Sequence, residues 1–242
     1  MALLITFLAG ISVIIGAQAA RAARNPARIS QLSISLACGA MTALLLFDLL
    51  PDIAETAGTD GAGRCILFLL IGVAGLKFLD LFIPEHEDTA ANHDTGNREH
   101  IGVMSALAVI LHNVVEGMTV YSMSLSSLSQ GALFAFGIAL HNIPMGMLIY
   151  SAISDRRRHV KAGILIVVSL STVFGGILMT LMSRHLNEAV ISALVCVAAG
   201  MIIYIAFLEL FPHVLRTRPL RPALLTALAG FILVFLSCQI AG

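Results

Sequence analysis

Long apolar runs separated by short polar punctuation set the pattern of this 242-residue chain. A helix that crosses the hydrocarbon core of a bilayer needs about 20 consecutive apolar residues. Eight stretches meet that length, roughly 1–20, 30–52, 65–83, 100–124, 128–153, 162–183, 188–211 and 222–241. Most interruptions carry helix-breaking or charged residues: Pro26, Pro51 with Gly58 and Gly61, Pro84, Arg156–Arg158, and Pro212 with Pro219 and Pro222. The fourth, Ser124–Ser129, holds only Ser and Leu and is the softest boundary. The pattern predicts an all-α polytopic membrane protein with eight transmembrane helices. Residues 1–242 form one transmembrane domain, with a polar loop at 84–99 between helices three and four.

Charge fixes the orientation. Charged residues make up 12% of the chain and apolar residues 58%, where a soluble domain carries about 25% charged residues. Mean hydropathy is +0.95. So little polarity cannot cover a water-exposed surface, and a net charge of +0 argues against a nucleic-acid partner. Of 14 Lys and Arg, the first, third, fifth and seventh loops hold Arg21, Arg24, Arg28, Arg98, Arg156, Arg157, Arg158, Lys161, Arg216, Arg218 and Arg221. The other loops hold only Arg64 and Arg184. Basic loops stay in the cytoplasm, so both termini lie outside and the 84–99 loop lies inside. Arg156–Arg158 would anchor the inner face on anionic lipid. Ala17-Gln18-Ala19 has the form of a signal cleavage site, but the first span lacks a basic leader and is read as a retained helix. Short loops and compact length suggest a prokaryotic plasma membrane. Cys38, Cys65, Cys196 and Cys238 show no CxxC spacing and read as small buried apolar residues.

Against this background, His112-Asn-Val-Val-Glu-Gly117 and His141-Asn-Ile-Pro-Met-Gly146 repeat one frame near the centres of adjacent, antiparallel spans. Positions i and i+4 share a helix face, about 6 Å apart along the axis. His112 therefore stacks with Glu116 and His141 with Met145, while Asn113 and Asn142 lie about 100° further round and offer amide oxygens. An ionised Glu at mid-bilayer costs a few kcal/mol or more, and a bound cation removes most of that cost. Two imidazoles, a carboxylate, a thioether and two amides suit a first-row divalent metal such as Zn²⁺. Pro144 has no N–H to give to Leu140, so span five should loosen there, and Gly117 and Gly146 allow close helix approach.

Other features frame this centre. Asp48, Asp52, Glu55 and Asp60 make an acidic mouth that would concentrate cations, with Asp48 as the entrance residue. Met41 offers another mid-depth sulfur, or core packing. Lys77 and Asp80, i and i+3, read as a structural ion pair. Glu209 and His213, i and i+4, are a possible exit pair. The 84–99 loop and its edge carry His86, His93 and His100 without tight ligand spacing, and a composition typical of disorder.

The two HN motifs resemble those of the ZIP family of divalent metal transporters. The family's fourth helix carries HNxxEG, matched by His112, Asn113, Glu116 and Gly117. Its fifth often carries HNxPEG, matched by His141, Asn142, Pro144 and Gly146 but broken at Met145. Asp48-Leu-Leu-Pro-Asp52 is similar to the end of the family's second helix. The resemblance implies a ZIP-like inverted 3+2+3 arrangement, alternating access, metal uptake into the cytoplasm between helices two, four, five and seven, and a homodimer. The chain shows no internal similarity beyond the HN frame that would display the repeat. Family members often bridge two metals with the Glu of each motif. Here Met145 replaces one Glu, and span six has no acid, only Ser169, Ser171 and Thr172 at mid-span. With Glu116 as the sole carboxylate, a second divalent ion meets uncompensated repulsion. A single ion held by His112, Glu116, His141 and Met145 is expected.

The expected function is therefore transport of Zn²⁺, Fe²⁺, Mn²⁺, Co²⁺ or Cd²⁺, with metal as substrate rather than cofactor. Two alternatives differ in class. One is a non-transporting metal sensor. The other is an intramembrane metal-dependent hydrolase, which would need a metal-bound water and a separate general base. No HExxH pattern supplies that pair, so an enzyme is not expected.

Overall fold

A computed structural model describes residues 1–23, 25–81, 93–153, 156–182 and 188–241. Among these the chain is helical from end to end: α1 (Ala2–Arg21), α2 (Pro26–Leu44), α3 (Leu50–Asp80), α4 (His93–Ser126), α5 (Leu128–Ala152), α6 (Arg158–Met182), α7 (Glu188–Ile203), α8 (Phe211–Arg216) and α9 (Leu220–Ala241). Eight stretches are long and apolar enough to cross a membrane. Spans two and seven are composite, because π-helical segments at Leu45–Leu49 and Tyr204–Leu210 join α2 to α3 and α7 to α8.

Local chemistry explains most boundaries. Asn25 caps α2, its Oδ1 accepting from the Arg28 N–H at 3.1 Å, with Pro26 in the first turn, where a missing N–H is harmless. The soft boundary after span four is a single residue, Ser127, whose hydroxyl accepts from the Gln130 N–H and opens α5. Helical geometry carries through Pro51, Gly58 and Gly61, where the sequence pattern breaks, into the third span at Gly61–Asp80. Helix α4 starts at His93, so part of the 84–99 stretch is helical, while residues 82–92, His86 among them, lie outside the described residues. Helix α5 continues as an α-helix through Pro144.

Each π segment ends just before or beside a proline. A proline ring crowds the carbonyl four residues back and cannot donate to it. For Pro51 that carbonyl belongs to Phe47, and for Pro212 to Leu208, both within the π segments. The widened turns relieve the conflict, and they carry the acids Asp48 and Glu209. Such π turns concentrate at functional sites because they re-aim one side chain.

Glycine contacts reveal an internal repeat. A Cβ on Gly16 would strike the Ile143 carbonyl, and one on Gly146 the Val13 carbonyl, fastening α1 to α5. Gly117 meets the Thr172 carbonyl and Gly175 the Val114 carbonyl, fastening α6 to α4 in the same reciprocal way. Gly39 with Ala227 and Gly230 with Leu36 join α2 to α9; Gly200 with Leu69 and Gly72 with Val197 join α7 to α3. Spans one to three thus correspond to spans six to eight, and α4 to α5. This is the inverted 3+2+3 arrangement, and the helix contacts display it where the sequence alone did not. The register pairing Gly39 with Gly200 also pairs Asp48-Leu-Leu-Pro51 with Glu209-Leu-Phe-Pro212. Gly146→Ala is expected to cost about 1–3 kcal/mol, because a backbone carbonyl cannot yield to the new methyl. Gly163→Ala, on α6 with open space around it, should be neutral or gain up to about 1 kcal/mol. Thermal unfolding of the two purified variants checks the contrast.

Candidate metal centre

The two HN motifs meet inside the bundle. His112, Glu116 and His141 are all buried, and one donor atom from each lies within 4.8 Å of the others. Glu116 Oε1 stands 3.1 Å from His112 Nε2 and 2.8 Å from His141 Nε2. The imidazole centroids are 5.8 Å apart, with the rings tilted by 47°. Both imidazole Nε2 atoms thus face one carboxylate oxygen at ion-pair distance, while Glu116 Oε2 is without a partner. Buried polar groups are normally satisfied. Three donor atoms that converge on one buried point have the arrangement a cation requires. His141 is further set by a hydrogen bond to the Gly137 backbone. Fastening one ring nitrogen presents the other to a metal.

The two asparagines have separate fates. Asn113 donates through Nδ2 to the Val168 carbonyl at 3.1 Å, tying α4 to α6, and keeps Oδ1 unpartnered. Both amide atoms of Asn142 are buried without a partner. Met145 is 3% exposed and belongs to the main apolar core, as does Met41 at 1%. On α6, Ser169 donates to the Gly10 carbonyl at 2.8 Å and Ser171 to the Val168 carbonyl at 2.6 Å. Both hydroxyls fasten backbone, and span six offers the centre no carboxylate.

A cavity of about 20 Å³, room for one water or one small ion, touches Glu116 and His141 and is bounded by Asp48 and by Ser237 and Cys238 of α9. The π turn therefore delivers Asp48 to the approach of the centre. Asp52 and Glu55 lie one and two turns beyond it on α3; the side chain of Asp60 is outside the described set.

A second group of potential ligands occupies the opposite end of the bundle: Asp80, His100 and Glu209, with donor atoms within 4.8 Å of one another. His100 Nε2 lies 2.7 Å from Asp80 Oδ1. Asp80 Oδ2 accepts from Lys77 at 2.6 Å and from the Tyr204 hydroxyl at 2.9 Å. The Lys77–Asp80 pair is present as its spacing suggests. Glu209 is grouped with Asp80 and His100. Sequence reading missed His100 here, having counted it with the polar loop. Cys38, read as a plain apolar residue, directs its thiol to the Ala206 carbonyl at 3.8 Å and links span two to the π segment of span seven.

Comparison with known proteins agrees with this geometry. The family model described as ZIP Zinc transporter matches residues 80–237. Zinc transporter ZupT of Enterobacter sp. (strain 638) is 30% identical over 222 residues, covering 87% of this chain and 85% of the relative. ZupT of Salmonella arizonae is 31% identical over the same shares, and that of Salmonella newport is 29% identical over 98% of this chain and 96% of its own. These bacterial relatives and the eight apolar helices make the protein a multi-pass protein of a prokaryotic inner membrane. A transporter lineage leaves no place for the hydrolase alternative. With a buried centre of two histidines and a glutamate on helices four and five of an eight-span bundle, the chain belongs to the ZIP family and is a divalent metal transporter rather than an enzyme.

Proposed function

We propose that this protein moves Zn²⁺, and with it borderline ions such as Fe²⁺, Mn²⁺, Co²⁺ and Cd²⁺, into the cytoplasm by alternating access through one mid-membrane ion site. The carrying observation is the convergence of His112 Nε2, His141 Nε2 and Glu116 on one buried point. Met145, one turn beyond His141, supplies a thioether as fourth ligand, and the free Asn142 amide can take a ligand water. Soft and borderline donors favour Zn²⁺ and Cd²⁺ over Mg²⁺ and Ca²⁺. Uptake is the direction that the family resemblance implies, and the basic loops support an orientation with Asp48 at the outer approach and Asp80, His100 and Glu209 at the cytoplasmic end. The inverted repeat supports alternating access, because exchanging the conformations of its halves opens the same site to the other side. A homodimer is part of the same reading.

Uptake of Zn²⁺, Fe²⁺, Mn²⁺ and Cd²⁺ into proteoliposomes tests it. Saturable flux of Zn²⁺ and Cd²⁺ that Mg²⁺ does not inhibit is expected; flux equal to protein-free vesicles rejects it. The asparagines should separate. Asn113→Ala is expected to cost about 0.5–1.5 kcal/mol of stability, because the hydrogen bond that ties α4 to α6 is lost while the Val168 carbonyl keeps the Ser171 hydroxyl as donor. Asn142→Ala should leave the melting temperature within a few degrees while weakening Zn²⁺ binding by roughly tenfold, a typical loss for a supporting residue. Thermal unfolding and zinc titration of both variants read these outcomes.

A further inference from the structure

The internal repeat carries an inference about α9. The register that pairs Gly72 with Gly230 pairs Asp80 with Cys238, just as that of Gly39 and Gly200 pairs Asp48 with Glu209. At one end, Asp80 and Glu209 meet within a potential ligand group. At the other, their counterparts Cys238 and Asp48 bound the same cavity, which also touches Glu116. Glu116 is 7% exposed, with Oε2 unpartnered. Cys38, Cys65 and Cys196 are buried, whereas Cys238 is half-buried and lines this cavity.

We propose that Cys238 and Asp48 form an outer staging site for a thiophilic divalent cation, from which the ion passes to Glu116, His112 and His141. The ion enters as M²⁺, the Cys238 S–H proton leaves to outside water, and the product is a metal bound by one thiolate and one carboxylate, with no change of oxidation state. The cavity holds one ion and places the staging ligands beside the central carboxylate, so transfer exchanges ligands without full rehydration. The thiolate biases entry toward Zn²⁺ and Cd²⁺ over Mn²⁺ before the central site is reached. Cys238 is then a specificity-determining residue on a helix that carries neither HN motif. The inference rests on the transport reading for the passage to the centre, but ion capture at Cys238 is measurable without flux.

The test is thiol labelling of the full-length protein in nanodiscs with a charged methanethiosulfonate reagent, the modified cysteine identified by mass spectrometry, with Cd²⁺ or Mg²⁺ as the probe. Cys238 should be the fastest-labelled cysteine. Cd²⁺ should slow its labelling by roughly tenfold or more, and Mg²⁺ should not. Asp48→Asn should raise the Cd²⁺ concentration needed by about tenfold, a typical loss for one ligand. Glu116→Gln should leave protection in place. An unreactive Cys238, or protection that vanishes in Glu116→Gln, overturns the proposal, because the thiol would then be closed off or shielded only when the centre fills. Flux through Cys238→Ser separates this from the transport reading: Cd²⁺ uptake at low concentration should fall several-fold while Mn²⁺ uptake is unchanged. Loss of both by the same factor counts against a selective staging role. Intact Cd²⁺ protection without flux in the wild type leaves the staging site standing and rejects the transport reading.

Discussion

Glu116→Gln is expected to abolish metal flux while leaving the fold intact or firmer. The carboxylate oxygen of Glu116 lies 3.1 Å and 2.8 Å from the two imidazole nitrogens, and no other carboxylate joins this group among the described residues. Glutamine keeps the shape and removes the charge. A neutral amide cannot offset a divalent ion held inside a membrane, so Zn²⁺ affinity and uptake should drop at least about a hundredfold, beyond the usual loss for a supporting residue. The opposite sign is expected for the metal-free protein. A buried carboxylate without its cation is costly, and its neutral isostere is often equally or more stable. Flux assays paired with thermal unfolding check both halves. Lost flux with an unchanged or raised melting temperature marks a functional ligand, while a large fall in both would mark Glu116 as structural.

Met145→Glu should convert the centre to a two-ion site. The repeat pairs Met145 with Glu116, so the new carboxylate arrives at matched depth on α5 and restores the bridging pair the family often carries. A second anion offsets the repulsion that excludes a second divalent ion. On the single-ion reading, the expected results are two centrally bound Zn²⁺ against one in the wild type, and a shift toward the harder Mn²⁺ by roughly tenfold. Without metal, two close carboxylates repel, so this variant should unfold earlier than wild type and recover with Zn²⁺. Equilibrium binding and melting with and without Zn²⁺ read both effects. Unchanged stoichiometry and selectivity would mean position 145 lies outside the coordination sphere.

The spans were legible because bilayer thickness imposes a length on apolar helices. The centre was legible because His112, Glu116 and His141 follow helical spacing on two adjacent spans. Position 48 was legible as an acid near a helix end, though not as a residue aimed by a π turn. The grouping of Glu209 with Asp80 and His100 was not legible, because it joins residues of three different spans. The second repeat was present in the letters, as Asp48-Leu-Leu-Pro beside Glu209-Leu-Phe-Pro, but four residues acquire meaning only once the glycine contacts fix the register. The task of Asn113 depended on a backbone carbonyl of α6 that no spacing within α4 could indicate. Likewise the place of Cys238 beside Asp48 emerged only once α9 was seen to bound the same cavity.

X-ray absorption at the zinc edge addresses the single-ion centre most directly. With one equivalent of Zn²⁺, the wild type should show nitrogen and oxygen scatterers from His112, His141 and Glu116 and one sulfur scatterer from Met145. That sulfur signal should disappear in Met145→Leu and persist in Cys238→Ser. No zinc–zinc vector should appear as a second equivalent is added. A metal–metal distance of about 3.5–4 Å, the spacing of two-metal sites, in the wild-type protein would contradict the single-ion centre.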